Sequence, residues 1–367
     1  MKYVDEFRDA AAVRHAIDTI AGIATRPWNI MEICGGQTHS IMRHGLHELL
    51  PDNIHLLHGP GCPVCVTPAE KIDQAIAIAM QENTVLCSYG DMLRVPGNNR
   101  SLLDCKALGA DVRVIYSPTE AVDIALSEPE KQIILFAIGF ETTAPGNAAA
   151  IRKAKLQQVE NFSALVCQVT VPAAIDALLG NNDFEIDGFL AAGHVCTIMG
   201  FHQYYHLAEK YQVPIVITGF EPLDILAGIE KCVLQLESGQ HSVENAYARY
   251  VTEQGNQPAQ DLLQEVFQLD DQTWRGIGVM PNSGLSLNKS YRYFDAEQRF
   301  STVLGDLDLS MSKPVNEACQ SGLVLQGKIK PDECPLFGKQ CRPDKPLGAT
   351  MVSSEGACAA YYRYAAS

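Results

Sequence analysis

The sequence predicts an α/β protein, with two similar parallel-sheet α/β domains and a third, mixed domain. Three observations lead there. Short apolar, β-branched runs alternate with helical patterns through the first two-thirds of the chain. Several of those runs are continuously apolar, the pattern of a strand buried on both faces. The helical stretches between them open on recognisable start signals.

The expected strands, in chain order, are "NIMEIC", "NIHLLHG", "TVLCSY", "DVRVIYS", "QIILFAIG", "SALVCQV", "DGFLAAG" and "VPIVITG". Among the helices, "TPAE" at 67–70 sets Thr67 as N-cap, Pro68 in the first turn and Glu70 three residues on, a capping box. "SPTE" at 117–120 repeats that chemistry with Ser117, Pro118 and Glu120. So many strands overfill one sheet, and a break near residue 120 gives two units of about a hundred residues, an ordinary domain size. We expect a first domain over 25–120 and a second over 121–221. "FAIGFETTAPG" and "VITGFEPLDIL" both end an apolar strand with Gly-Phe-Glu, an echo between halves.

After residue 222 the character changes. "EPLDILAGIEKCVLQLES", "SVENAYARYV" and "PAQDLLQEVFQL" read as helices, and "TWRGIGVMPNSGLSL" and "SYRYFDAEQRF" as aromatic and glycine-rich segments. Residues 222–367, joined by the charged, helix-periodic 1–24, make the expected third domain. Across 367 residues, 47% hydrophobic and 19% charged side chains fit a packed protein rather than a disordered one. A net charge of −15 argues against nucleic acid or an anionic membrane as partner. The N-terminus has no apolar signal core, and no run of about eighteen apolar residues exists to span a bilayer. The expected location is cytoplasmic, where thiols stay reduced, so the twelve cysteines are not a disulfide framework. Cys87, Cys105, Cys167, Cys196 and Cys232 sit in apolar or helical settings and read as core.

No phosphate loop of the G-x-x-x-x-G-K-[ST] or G-x-G-x-x-G form is present. His202 and His206 share a helix face without the H-E-x-x-H form and read as surface or core. "GPGCPVCVTPAEKI" holds Cys62 and Cys65 as a C-x-x-C just before a helix start, where free N–H groups favour a thiolate. A two-residue spacer suits thiol–disulfide exchange; half of a zinc site is the alternative, and no second C-x-x-C completes one. In "IMEICGGQTHSIMRHGL" an apolar strand delivers Cys34, and Gly35 and Gly36 permit close approach of a ligand. Cys34, Cys62 and Cys65 all follow expected strands, and ligands of parallel sheets bind at those ends. His39, one turn into the next helix, is placed to orient or protonate a group there, or else is an exposed helix-start histidine. Cys319, Cys334, Cys341 and Cys358 are spaced C-x14-C-x6-C-x16-C. Four thiolates hold either a [4Fe–4S] cluster or zinc; the spacing fits neither common zinc pattern, and the Cys-Pro step of "ECPL" recurs in ferredoxins.

The ordered set "CGGQTHSI", "HGPGCPVCVTP", "YGDMLRVPG", "GFETTAP", "AAGHVCTIMG", "GFEPLDIL", "WRGIGVMPNSGL", "GKIKPDECPLFGKQC" and "GATMVSSEGACAAYY" resembles the HypD family of [NiFe]-hydrogenase maturation proteins over essentially the whole chain. Ile329 replaces a cysteine that some members carry, and Gln37 a histidine, which leaves His39 as the histidine of that motif. The resemblance implies a cytoplasmic scaffold that docks a HypC-type partner. It implies an iron carrying two cyanides and one carbonyl, the Fe(CN)2CO moiety, held by Cys34 and a partner cysteine. Cyanide would come from a HypE-type donor. Cys62 and Cys65 would be a redox pair, and Cys319, Cys334, Cys341 and Cys358 would bind [4Fe–4S]. Asp91, Glu141 and His194 lie in motifs of the set, beside the cleft or as helix-start groups without further role. A stand-alone Fe–S disulfide reductase is the alternative function, and a zinc-stabilised interaction module a third.

Overall fold

The computed structural model describes residues 4–180, 185–307 and 318–365. The first three residues of the helix-periodic N-terminus thus lie outside the described residues. Beyond them the N-terminal segment is a short 3-10 turn, Asp5–Arg8, and then the helix Ala10–Ile23, capped by the Asp9 carboxylate accepting from the Ala12 amide at 2.8 Å.

All eight expected strands form: β1 (Trp28–Glu32), β2 (Ile54–His58), β3 (Thr84–Ser88), β4 (Val112–Val114), β5 (Gln132–Gly139), β6 (Phe162–Val169), β7 (Gly188–Ala192) and β8 (Ile215–Thr218). Three more follow, β9 (Val243–Asn245), β10 (Phe267–Trp274) and β11 (Gly278–Leu287). They build two sheets. The first runs β2-β1-β7-β8-β9 and is parallel throughout. The second runs β10-β11-β6-β5-β3-β4, parallel except that β11 pairs antiparallel with both β10 and β6. The sheets do not follow chain order around residue 120. β3 and β4, before it, share a sheet with β5 and β6, while β1 and β2 pair onward with β7.

Each sheet has helices on both faces, as right-handed crossovers require. One continuous apolar core lies between the sheets, with Met31, Phe189 and Ile217 of the first and Leu86, Phe136 and Leu165 of the second. The outer face of the first sheet packs Ile30, Leu190 and Val216 under the helices Ala10–Ile23 and Pro222–Ser238, through Ile20, Ile225 and Ile229. The outer face of the second covers Val85, Leu135 and Ala164 with Ala148, Ile151 and Val266.

Three local expectations are corrected. "SVENAYARYV" is not a helix; it is the short edge strand β9 and a turn, because Val243–Asn245 finds the free edge of β8. "PAQDLLQEVFQL" is a helix only to Val266, after which β10 begins. Thr67 does not cap the helix Ala69–Ala79. It closes the preceding one-turn helix Pro63–Val66, and its hydroxyl donates back to the Pro63 carbonyl at 2.9 Å. The capping interaction of "SPTE" forms, with the Glu120 carboxylate accepting from the Ser117 amide at 2.7 Å.

Candidate functional site

In the first sheet β1 leads on to β2 on one side, and β7 to β8 on the other. The order reverses between β1 and β7, and crevices for ligands open at such switch points, past the carboxyl ends of the strands. Cys34 stands there, two residues past β1, as N-cap of the helix Gly35–Arg43. His194 follows β7 directly, and its Nδ1 lies 3.7 Å from the Cys34 Sγ. Phe220, just past β8, packs on Gly36 and on the His194 ring, with ring centroids 5.2 Å apart. Tyr247 fills the space over Gly193 and Gly219. Under this cover Cys34 is only 3% exposed.

The electrostatics keep both partners neutral at pH 7. Burial raises the Cys34 thiol well above the ordinary thiol value, and the carboxylates of Glu355 and Glu32 add to it. Burial also lowers His194 to about 4. Cys34 is therefore a protonated thiol beside an uncharged imidazole until something draws its proton away.

A buried carboxylate fixes the backbone at this point. Glu32 is fully buried at the end of β1. One oxygen accepts from the Cys34 amide at 3.0 Å. The other accepts from the Thr38 hydroxyl and meets the His58 Nδ1 at 2.6 Å. His58 ends β2, and its Nε2 meets the Tyr361 hydroxyl at 3.0 Å. Sequence reading missed Glu32 and His58. The available signal was an acidic residue inside the otherwise apolar "NIMEIC", since a carboxylate in a buried strand needs partners.

Cys62 and Cys65 are joined by a disulfide around the helix Pro63–Val66. The turn before them sits against Cys34: the Gly35 amide donates to the Gly61 carbonyl at 3.1 Å, and a Cβ on Gly61 would stand 2.3 Å from the Cys34 nitrogen. Cys34 and the Cys62–Cys65 disulfide thus lie in one apolar cluster. His39 is not turned to them. Its Nδ1 is 3.1 Å from the Ser354 carbonyl, and its ring packs edge-on against Tyr364. His202 and His206 are exposed. Asp91 pairs with Arg94 at 2.8 Å, and Arg94 also reaches the Val352 carbonyl. One Glu141 oxygen accepts from the Val171 amide at 2.9 Å; the other is buried without a partner.

The last four cysteines gather in a separate apolar cluster with Val324, Leu336, Met351 and Ala357. None is in a disulfide. The Leu347 amide donates to the Cys341 Sγ at 3.4 Å, and the Thr350 hydroxyl to the Cys358 Sγ at 3.1 Å. Among the described residues, no three Cys, His, Asp or Glu side chains close on a single-ion site. The five cysteines read as core, Cys87, Cys105, Cys167, Cys196 and Cys232, are all buried.

Fold and site together define an α/β protein with a thiol at the switch point of a parallel sheet, a disulfide turn beside it and four further thiols in a pocket of their own. Comparison with known proteins gives that class a family. Residues 10–365 match the HypD family, described as "Hydrogenase formation hypA family". The chain is 45% identical over 374 residues to the hydrogenase maturation factor HypD of Rhizobium leguminosarum bv. viciae, covering 99% of this chain and 96% of that one. It is 44% identical to that of Cupriavidus necator and 42% identical to that of Escherichia coli K12, covering 97% and 98% of those chains. The chain belongs to the HypD family of hydrogenase maturation factors. No helix among the described residues is long and apolar enough to cross a membrane.

Proposed function

We propose that this chain is a cytoplasmic scaffold on which the Fe(CN)2CO moiety of a [NiFe] centre is assembled together with a HypC-type partner, with Cys34 as its ligand to the iron. The observation that carries this reading is the position of Cys34 at the switch point of the first sheet, held by Glu32 and faced by His194. Thiolate is a soft, electron-rich donor suited to an iron that bears cyanide and carbonyl. Binding iron removes the thiol proton, and the His194 ring, 3.7 Å from the sulfur, faces the thiol from which it leaves. Cys34 is only 3% exposed, so its surroundings have to open for the cargo to reach it.

Cyanide handed over from a HypE-type donor as a thiocyanate requires reduction. R–S–CN takes up two electrons to give RS− and CN−. Oxidation of a Cys62–Cys65 dithiol to the disulfide releases those two electrons and two protons. The disulfide in this structure is the oxidised member of that couple, next to Cys34. Cys319, Cys334, Cys341 and Cys358 are the residues that would hold a [4Fe–4S] cluster. A zinc ion gathers four sulfurs at about 2.3 Å from one point. The four thiols share one apolar cluster with no disulfide among them, and their spacing fits neither common zinc pattern, which supports a cluster over zinc. A cluster held there would supply single electrons, two of which, with two protons, would return the disulfide to the dithiol.

The test is infrared spectroscopy of the chain co-expressed with its HypC-type partner. Cyanide and carbonyl stretches are expected in the wild type and absent in Cys34→Ala, whose four C-terminal cysteines still take up iron and sulfide. Stretches that persist in Cys34→Ala would sink the ligand assignment. The disulfide also suits a stand-alone Fe–S disulfide reductase. That reading requires Cys34→Ala to keep full function in hydrogenase maturation, so the same variant separates the two.

A further inference from the structure

The motif "TWRGIG" forms the turn between β10 and β11, and Arg275 in it has no part in the site described above. That turn lies between the two thiol centres. On one side the Arg275 amide donates to the carbonyl of Val66, the residue after Cys65, at 2.7 Å. On the other side Gly276 packs directly on Gly322, and the Gln326 side chain donates to the Gly276 carbonyl at 2.7 Å. Arg275 and Cys319 line one cavity of about 760 Å³, whose wall also includes Pro68, Glu70 and Gly348. Gly348 in turn leaves room for the Cys319 sulfur, which a Cβ there would meet at 2.6 Å.

The guanidinium is unusual for its charge. Nη2 donates to the Pro96 carbonyl at 2.6 Å. Nη1 is shut off from solvent and has no hydrogen-bond partner, and Arg275 makes no salt bridge among the described residues. The Asp73 carboxylate is taken up by the amide and side chain of Asn98. Glu70 is exposed at the cavity wall. Burial lowers the Arg275 pKa. Arg275 is half-buried on the cavity wall, and a cation with one donor shut off from solvent and unpartnered is stabilised when negative charge is brought to it. Four thiolates around an iron–sulfur core carry such charge, and charge beside a cluster sets its potential.

We propose that Arg275 sets the charge environment of the four-cysteine site: a fixed positive charge on the wall of the cavity that Cys319 also lines, favouring the reduced, more negative state of a cluster held there. The inference rests on the cluster assignment above. It gives the turn between β10 and β11 a role: the same residue ties the Cys62–Cys65 turn to the cysteine pocket by its backbone and biases the pocket's electron affinity by its side chain.

The experiment is a redox titration of the anaerobically purified full chain, followed by electron paramagnetic resonance, with iron and sulfide measured on every sample. Arg275→Met is expected to retain iron and sulfide but to become harder to reduce, by on the order of tenfold in the equilibrium constant, about 59 mV for a one-electron couple. Arg275→Lys, which keeps the charge, should fall between it and wild type. Glu70→Gln tests the same field from an exposed position that the fold does not depend on, and should shift the potential the opposite way. An unchanged potential in a loaded Arg275→Met protein overturns the inference and leaves the cluster assignment standing. If Arg275→Met fails to fold, Arg275→Gln, which keeps a donor for the Pro96 carbonyl without the charge, takes its place, and an unchanged potential in it overturns the inference equally. Wild-type protein without iron and sulfide overturns the cluster assignment itself, and the inference with it.

Discussion

Glu141 shows how much a single buried side chain contributes here. It is 3% exposed, and one oxygen has only buried surroundings and no donor. Burial raises its pKa from the ordinary 4.5 to about 7, against the pull of the Val171 amide. A carboxyl with a raised folded-state pKa holds its proton in the native protein after the unfolded chain has lost it. The stabilising effect is complete below about pH 4.5 and is lost as pH rises through 7. The shift corresponds to about 3 kcal/mol at most. Glu141→Gln keeps an acceptor for Val171 without the charge. We expect denaturant midpoints to fall from pH 4.5 to pH 7 more steeply in the wild type than in Glu141→Gln. Parallel curves would show that Glu141 is ionised throughout. The same reasoning about burial explains the pairing at the candidate site, where Cys34 and His194 are both pushed toward their neutral forms.

At the scale of elements, the site depends on backbone approaching backbone. The turn Gly59–Pro60–Gly61 after β2 lies on the end of β1, and the Gly61 contact is with main-chain atoms of Cys34 that cannot rotate away. Gly61→Ala is expected to destabilise the protein by about 1–3 kcal/mol, the usual cost of overpacking. It should also open the turn that carries Cys62. Gly22→Ala is the matched control. Gly22 lies in the helix Ala10–Ile23 with nothing within 4 Å of its would-be Cβ, so the change should stabilise by roughly 0.5–1 kcal/mol. Thermal unfolding of the two variants checks both signs. The hairpin β10–β11 shows a different use of an element. β10 is an edge strand whose middle residues, including Asp270 and Asp271, face solvent, which discourages pairing with another chain. Its turn meanwhile carries Arg275 in toward the cysteine pocket.

For the whole molecule, the core between the two sheets predicts how the protein unfolds. Residues of both sheets and of the C-terminal segment, such as Ala349 and Val352, share it. Trp28 on β1 and Trp274 on β10 are buried in different sheets and are the two tryptophans of the chain. In Trp28→Phe and Trp274→Phe, the fluorescence of the remaining tryptophan should follow the same denaturant transition as the far-ultraviolet circular dichroism. A tryptophan that changes ahead of the backbone signal would show the sheets to unfold separately. β1, β3 and β5–β8 were legible from the sequence as apolar runs, as strands buried on both faces need, and the partly buried β2 and β4 as shorter β-branched and apolar runs. The sequence also marked Cys34, Cys62, Cys65 and the last four cysteines, since thiols beside glycine, proline and strand ends are rare enough to stand out. Only the tertiary structure decided which strands share a sheet, because pairing between distant segments leaves no local trace. It alone decided that β10 and β11 are strands, since many of their residues face solvent and lack the continuous apolar signal. It chose His194 rather than His39 to face Cys34: one lies five residues away and turns toward Tyr364, while the other lies 160 residues away and is delivered by the neighbouring strand across the switch point.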